Sequence, residues 1–250
     1  MNILPFELDG GIGTRANLGL IVLQSDQTLE MEARRFLSAP GVAVYHSRIP
    51  CAEEVTADNL KGMRNDLTEA AGLLVPAIEF DVIGYGCTSA SALLGADTVG
   101  VLVCERQPNA KVTNPTAAVK AALSALGAKK IGILTPYTEA VTQGVCDSMQ
   151  ASGFEIATLA SFNESNDSNV ARISEQSIAE AIRQTAGAAD CDAIFVSCTS
   201  LRVAEVIEAA ERELGIPVVS SNQAMCWHML RLAGVDDVGM NAGFGRLWEL

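Results

Sequence analysis

The sequence predicts an α/β fold: two similar doubly wound halves, each around a parallel central sheet, with the active site in the cleft between them. Three observations predict it. From residue 18 onward, short β-branched runs alternate with longer segments of helical apolar spacing. Several of the short runs are wholly apolar, as strands covered on both faces must be. Two segments also resemble each other. Residues 81–91 read DVIGYGCTSAS and residues 192–200 read DAIFVSCTS, each an aspartate, an apolar strand, a small residue and then Cys-Thr-Ser opening a helix.

Taken in order, residues 1–16 form an irregular lead-in. Gly10, Gly11 and Gly13 superficially resemble a nucleotide-binding loop, but no strand precedes them. Strands are expected at 18–23, 42–46, 81–85, 130–134, 154–158, 192–196 and 216–219. Helical spacing covers 56–79, 116–126, 138–151, 173–187, 200–213 and 222–232. Gly127, Gly153 and Gly215 follow three of these helices, where a left-handed cap suits glycine. The segment 98–104 (TVGVLVC) has the β-branched content of a strand. Parallel strands joined by helices imply right-handed crossovers. The halves are placed at 1–115 and 116–225, with the tail 226–250 free to pack back on the first.

Composition narrows the function. Of 250 residues, 49% are apolar and 19% charged, enough for a buried core and contrary to disorder. The net charge of −13 argues against nucleic acid or an anionic membrane as partner. No apolar run is long enough to span a bilayer, and the start MNILPFELDGG lacks a signal-peptide pattern. Seven cysteines, an odd number with no CxxC or zinc-ribbon spacing, suggest a reduced cytoplasmic protein without a structural metal. Neither metal nor nucleotide cofactor is expected. A homo-oligomer is compatible with the sequence.

In a parallel α/β sheet, ligands bind beyond the carboxyl ends of the strands. Cys87 and Cys198 both fall at such ends and, on this reading, at helix amino termini, which favour the thiolate. The helix N–H groups and the hydroxyls of Thr88, Ser89, Thr199 and Ser200 suit a carboxylate or an enolate oxygen. A thiolate beside such a cradle removes a proton next to a carboxylate or adds to an activated double bond.

Other residues have plainer readings. Asp26, with Ser25 and Thr28, suits a helix cap. His228 suits packing beside Trp227, and Arg48 suits a surface ion pair. Ser220, Ser221 and Asn222 suit capping near the cleft. Asn163, Asn166 and Asn169 lie in a polar, turn-rich stretch that reads as a loop.

The strand–Cys–Thr–Ser pattern in both halves resembles the aspartate/glutamate racemase superfamily. Within it, IVLQSDQTLEME, GYGCTSAS, KKIGILTPYTEAV, FVSCTSLRVAEVIEAAERELGIPVVSSNQAMCW and the ending GFGRLWEL are similar to the branch of maleate cis-trans isomerase, arylmalonate decarboxylase and the ectoine-utilization EutA proteins. The resemblance implies that Cys87 is a base or nucleophile and Cys198 the opposing acid or base. It implies that Thr88 and Ser89 bind a carboxylate, that Tyr137 contacts substrate, and that the Thr199 N–H joins the anion cradle. It also implies a helix across 98–104. The decarboxylases keep only the second cysteine, so two cysteines disfavour decarboxylation. The isomerases carry an asparagine where this chain has Asp26. A carboxylate there suits an ammonium or amide N–H, and the superfamily's amino-acid racemases have an aspartate in the comparable loop.

The expected function is a cofactor-independent isomerase or racemase acting by paired cysteines on a small carboxylate, amino-acid-like or a dicarboxylate. Arylmalonate-type decarboxylation and non-catalytic binding of a small carboxylate are the alternatives.

Overall fold

The computed structural model describes residues 1–236 and 243–250; residues 237–242, within the tail, lie outside that description. Strands β1 (Ala16–Leu23), β2 (Val42–Ile49), β3 (Val82–Gly86) and β4 (Lys111–Thr113) form a parallel sheet in the order β2-β1-β3-β4. Strands β5 (Lys130–Thr135), β6 (Glu155–Ser161), β7 (Ala193–Val196) and β8 (Val218–Ser220) form a second in the order β6-β5-β7-β8. The two sheets share one topology, so β1 corresponds to β5 and β3 to β7. Every residue of β3 and β7 is buried, which explains their wholly apolar composition.

The crossovers run through α1 (Leu29–Phe36), α2 (Ala57–Gly62), α3 (Arg64–Gly72), α4 (Thr88–Leu94) and α5 (Ala96–Cys104) in the first half. Then come α6 (Pro115–Ala125), α7 (Glu139–Gln150), α8 (Asp167–Val170), α9 (Glu175–Ala188), α10 (Ile207–Leu214) and α11 (Ser221–Ala233). A 3-10 turn, Arg246–Glu249, ends the chain. No described helix is long and apolar enough to cross a membrane.

Several details differ from the sequence reading. Residues 98–104 are helical. Val99 and Val103, four apart, are fully buried while Val101 between them is exposed; a strand would put all three on one face. The span 56–79 breaks into α2 and α3 at Met63 and ends at Gly72. The helix expected from residue 200 begins only at Ile207, because residues 197–206 form an irregular loop. The three-residue edge strand β4 and the short helix α1 are additions.

One large core joins the two halves. It runs from Leu18, Leu20 and Phe36 through Val119 to Ile133, Phe195, Met225 and Trp248. A smaller core, with Ile21, Leu67, Ile83 and Tyr85, lies on the other face of the first sheet. The tail folds back across the first half: Phe36 of α1 stacks on Trp248 at 5.8 Å and meets Phe244 edge-on at 4.8 Å.

Candidate active site

The site lies at the carboxyl ends of β1, β3, β5 and β7, the central strands where each sheet reverses its order. Cys87 follows β3 and is the N-cap of α4. Its close setting depends on Gly86, where a Cβ would come within 2.3 Å of Leu29 and 3.2 Å of the Ile21 carbonyl. Cys198 follows β7 at the equivalent position, but no helix starts there. It is held at φ 123°, a left-handed conformation costing a non-glycine residue on the order of 1–3 kcal/mol.

That strain is fixed by a network between the halves. Ser221 Oγ accepts from the Cys198 N–H at 3.1 Å and from the Thr88 hydroxyl at 2.9 Å. The Thr199 hydroxyl donates to the Gly86 carbonyl, and the Thr28 hydroxyl to the Ser200 carbonyl. Glu32 accepts from the Val203 and Ala204 N–H groups and from Asn222, which also donates to the Thr199 carbonyl.

Both sulfurs line one small cavity of about 30 Å³, room for a few waters. Thr88, Ser89, Tyr137, Thr199 and Ser200 line it too. The structure thus brings together six of the seven site residues read from the sequence. Asp26 is the seventh, and it does not line the cavity. Its Oδ1 accepts from the N–H groups of Thr28 and Leu29, both at 2.7 Å, so it caps the entry to α1. Arg48 pairs with Glu30 and binds three carbonyls at the end of β1. His228 packs on Trp227 and bonds Thr113.

The loop residues missed in the sequence close the cavity. Residues 53–55 pair with 165–167 across the halves: the Val55 N–H bonds the Ser165 carbonyl, and the Asp167 N–H bonds the Glu53 carbonyl. Asp167 and Cys51 line the cavity, and the Ser25 hydroxyl donates to Asp167 and contacts the Cys51 sulfur. From the asparagine-rich stretch it is an aspartate that reaches the site. Asn166 caps α8 instead. No helical or strand period marks these loops, and only their position in space reveals them.

Burial governs the site's electrostatics. It pushes the Cys87 thiol up to about 12, against the lowering pull of the Ala90 N–H and the Ser89 hydroxyl. It pushes Cys198 higher still, aided by the negative charge of Asp167 and opposed by the Tyr137 hydroxyl and the Ser200 N–H. The sequence reading expected helix termini to favour the thiolates. Desolvation wins at both and favours the protonated thiols. The Ser200 hydroxyl is buried in the cavity wall without a hydrogen-bond partner among the described residues. An unpaired buried hydroxyl is costly unless a ligand completes it.

The arrangement is two sulfur acids, one from each half, beside N–H and hydroxyl donors able to hold a carboxylate. Residues 52–248 match the family model of arylmalonate decarboxylase. The chain belongs to this family. Its relatives include maleate isomerase of Nocardia farcinica, 28% identical over 86% of this chain and 88% of that protein. Arylmalonate decarboxylase of Bordetella bronchiseptica is 30% identical over 55% of this chain and 57% of its own. Among solved structures, the family fold recurs in a cysteine-to-serine variant of the Nocardia farcinica maleate cis-trans isomerase with a covalently bound succinylcysteine intermediate. That structure has TM-score 0.83 and 25% identity, covering 94% of this chain and 98% of that one. Maleate isomerase Iso of Pseudomonas putida shows the same fold with TM-score 0.84 and 24% identity, covering 94% and 98%.

Proposed function

We propose that the protein is a cofactor-independent isomerase of a small carboxylate, in which Cys87 and Cys198 act from opposite sides. The observation that carries this reading is that two cysteines, at equivalent strand ends of two like-folded halves, line one cavity with a carboxylate-binding set of donors.

The chemistry follows from that geometry. One sulfur, its proton released to solvent as substrate binds, removes a proton from the carbon next to the carboxylate. The electron pair moves into the carboxylate as an enolate, whose oxygens are held by the hydroxyls of Ser89 and Ser200, the Thr88 hydroxyl being committed to Ser221. The other thiol returns a proton to the opposite face. On an unsaturated acid the first sulfur would instead add to the double bond, leave a single bond free to rotate, and depart. Tyr137, its hydroxyl kept protonated by burial and beside Cys198, donates to the Cys198 sulfur when that carries the negative charge.

Decarboxylation is the second reading, favoured by the family model. Cys87 weighs against it, because proton delivery to an enolate after loss of carbon dioxide needs only one thiol.

Deuterium distinguishes the reactions. In D₂O, racemization of a saturated acid exchanges its α-hydrogen and interconverts enantiomers. Cis-trans isomerization moves the alkene resonances in the proton spectrum. Decarboxylation releases a labelled product. Observation of either of the first two across a panel of small acids is the expected outcome. Carbon dioxide release with no isomerization would select the decarboxylase reading.

A further inference from the structure

The geometry points to Asp167 as the residue that selects the substrate, and to a small carboxylate bearing an ammonium group as the class it selects. This rests on the isomerase reading of the same cavity.

Among the described residues, the cavity wall contains no lysine, arginine or histidine. It contains two acids, Asp167 and Glu54, and Asp167 is only 4% exposed. No cation forms an ion pair with Asp167 among the described residues; its one side-chain bond is the Ser25 hydroxyl on Oδ2, at 2.5 Å. A buried carboxylate facing a ligand space with no cation nearby is costly to keep unless the ligand supplies the positive charge. The donors for a carboxylate lie just past the strand ends: Ser89, in the first turn of α4 beside Cys87, and the Ser200 hydroxyl, in the loop beside Cys198 and unpaired among the described residues. Asp167 opens α8, at the end of the closing loop 162–166. A ligand with a carboxylate at one end and an ammonium at the other matches both walls. A dianion would place its second carboxylate against Asp167 in poorly solvated space, where like charges repel strongly. Burial keeps both thiols neutral and the charge of Asp167 adds to it, more at Cys198 than at Cys87, so an ammonium beside Asp167 would offset that part when substrate arrives.

The plainer role for Asp167 is structural: accepting from Ser25 and pinning the loop shut. Asp167→Asn separates the two, since an amide oxygen still accepts from Ser25 but carries no charge. Ser25→Ala does the converse.

Titration calorimetry at pH 7 reads the selection without any turnover, using L-alanine, D-alanine and β-alanine against succinate and maleate. β-Alanine and succinate differ chiefly in exchanging an ammonium for a carboxylate. The wild-type protein is expected to bind at least one amino carboxylate about tenfold or more tighter than either dianion. Asp167→Asn, with unchanged circular dichroism, should shrink that preference by about ten- to a hundredfold, the scale of one charge-assisted hydrogen bond. Ser25→Ala should keep it. The proposal is overturned by dianions binding the wild type as tightly, by neither class binding, by an unchanged preference in Asp167→Asn, or by its loss in Ser25→Ala alone. The wild-type comparison decides even if a variant misfolds. Selective binding with neither deuterium exchange nor cis-trans isomerization of any acid in the panel would uphold the selection and sink the isomerase reading instead.

Discussion

Glu32 ties the halves together through one buried carboxylate. It reaches from α1 to the N–H groups of Val203 and Ala204 and to Asn222, all in the loop that carries Cys198 or the helix beside it. Burial pushes it up to about 7, against the lowering effect of those three donors, with the charge of Asp26 adding to the rise. The folded protein therefore holds this proton more tightly than the unfolded chain. The resulting stability is fully present below the unfolded value of about 4.5 and is lost as pH rises through about 7. Glu32→Gln removes the titration and keeps the acceptor for Val203 and Ala204. Its amide N–H₂ faces the Asn222 side-chain N–H₂, which loses one acceptor and keeps the Thr199 carbonyl, a cost that does not change with pH. In urea unfolding, the variant is expected to gain on the wild type by on the order of 1–3 kcal/mol between pH 5 and pH 8. A constant difference across that range would show that Glu32 is ionised throughout. At this scale the sequence marks Cys87 and Cys198 because each ends an apolar strand and opens a Cys-Thr-Ser triplet. It cannot mark Glu32, which looks like an ordinary charged position on an amphipathic helix.

The elements owe their positions to close backbone approach as much as to propensity. At the end of β3, Gly86 leaves just enough room for Leu29 of α1 to lie against the strand. Leu29 and Phe36 are fully buried on one face of that helix, and Asp26 caps its entry. Gly86→Ala forces Leu29 away or shifts β3 from β1, at a cost of about 1–3 kcal/mol typical of overpacking. The shift would move Cys87, so the rate should fall more than stability alone explains. Thermal denaturation and activity of that variant check both; an unperturbed melting temperature would mean that Leu29 repacks freely. Seven of the eight strands are legible from apolar or β-branched runs, most plainly β3 and β7, which are buried throughout. The eighth, β4, is three residues long with Lys111 at its start, too short for any period. The valines of 98–104 mislead in the other direction, since tertiary burial of Val99 and Val103 overrides their preference for strand.

As a whole, the molecule packs two sheets of one topology through a shared core so that β3 and β7 deliver equivalent cysteines to one space. The short repeat DVIGYGCTS and DAIFVSCTS is the trace of that arrangement visible in the sequence. The chain order says nothing about how the halves face each other. The cross-links that settle it are hydrogen bonds between residues 28 and 200, 32 and 203, and 88 and 221. The loops that close the cavity are equally silent in sequence, which is why Ser25, Cys51 and Asp167 emerge only from the fold. The central claim is that the two sulfurs form one catalytic pair, neither sufficient alone. The most direct test is the turnover rate of Cys87→Ser and Cys198→Ser, each measured on the same substrate by proton NMR. A serine hydroxyl is far too weak an acid to replace a thiol, so each variant should lose about three orders of magnitude or more in turnover. Near-wild-type turnover in either variant would contradict the account.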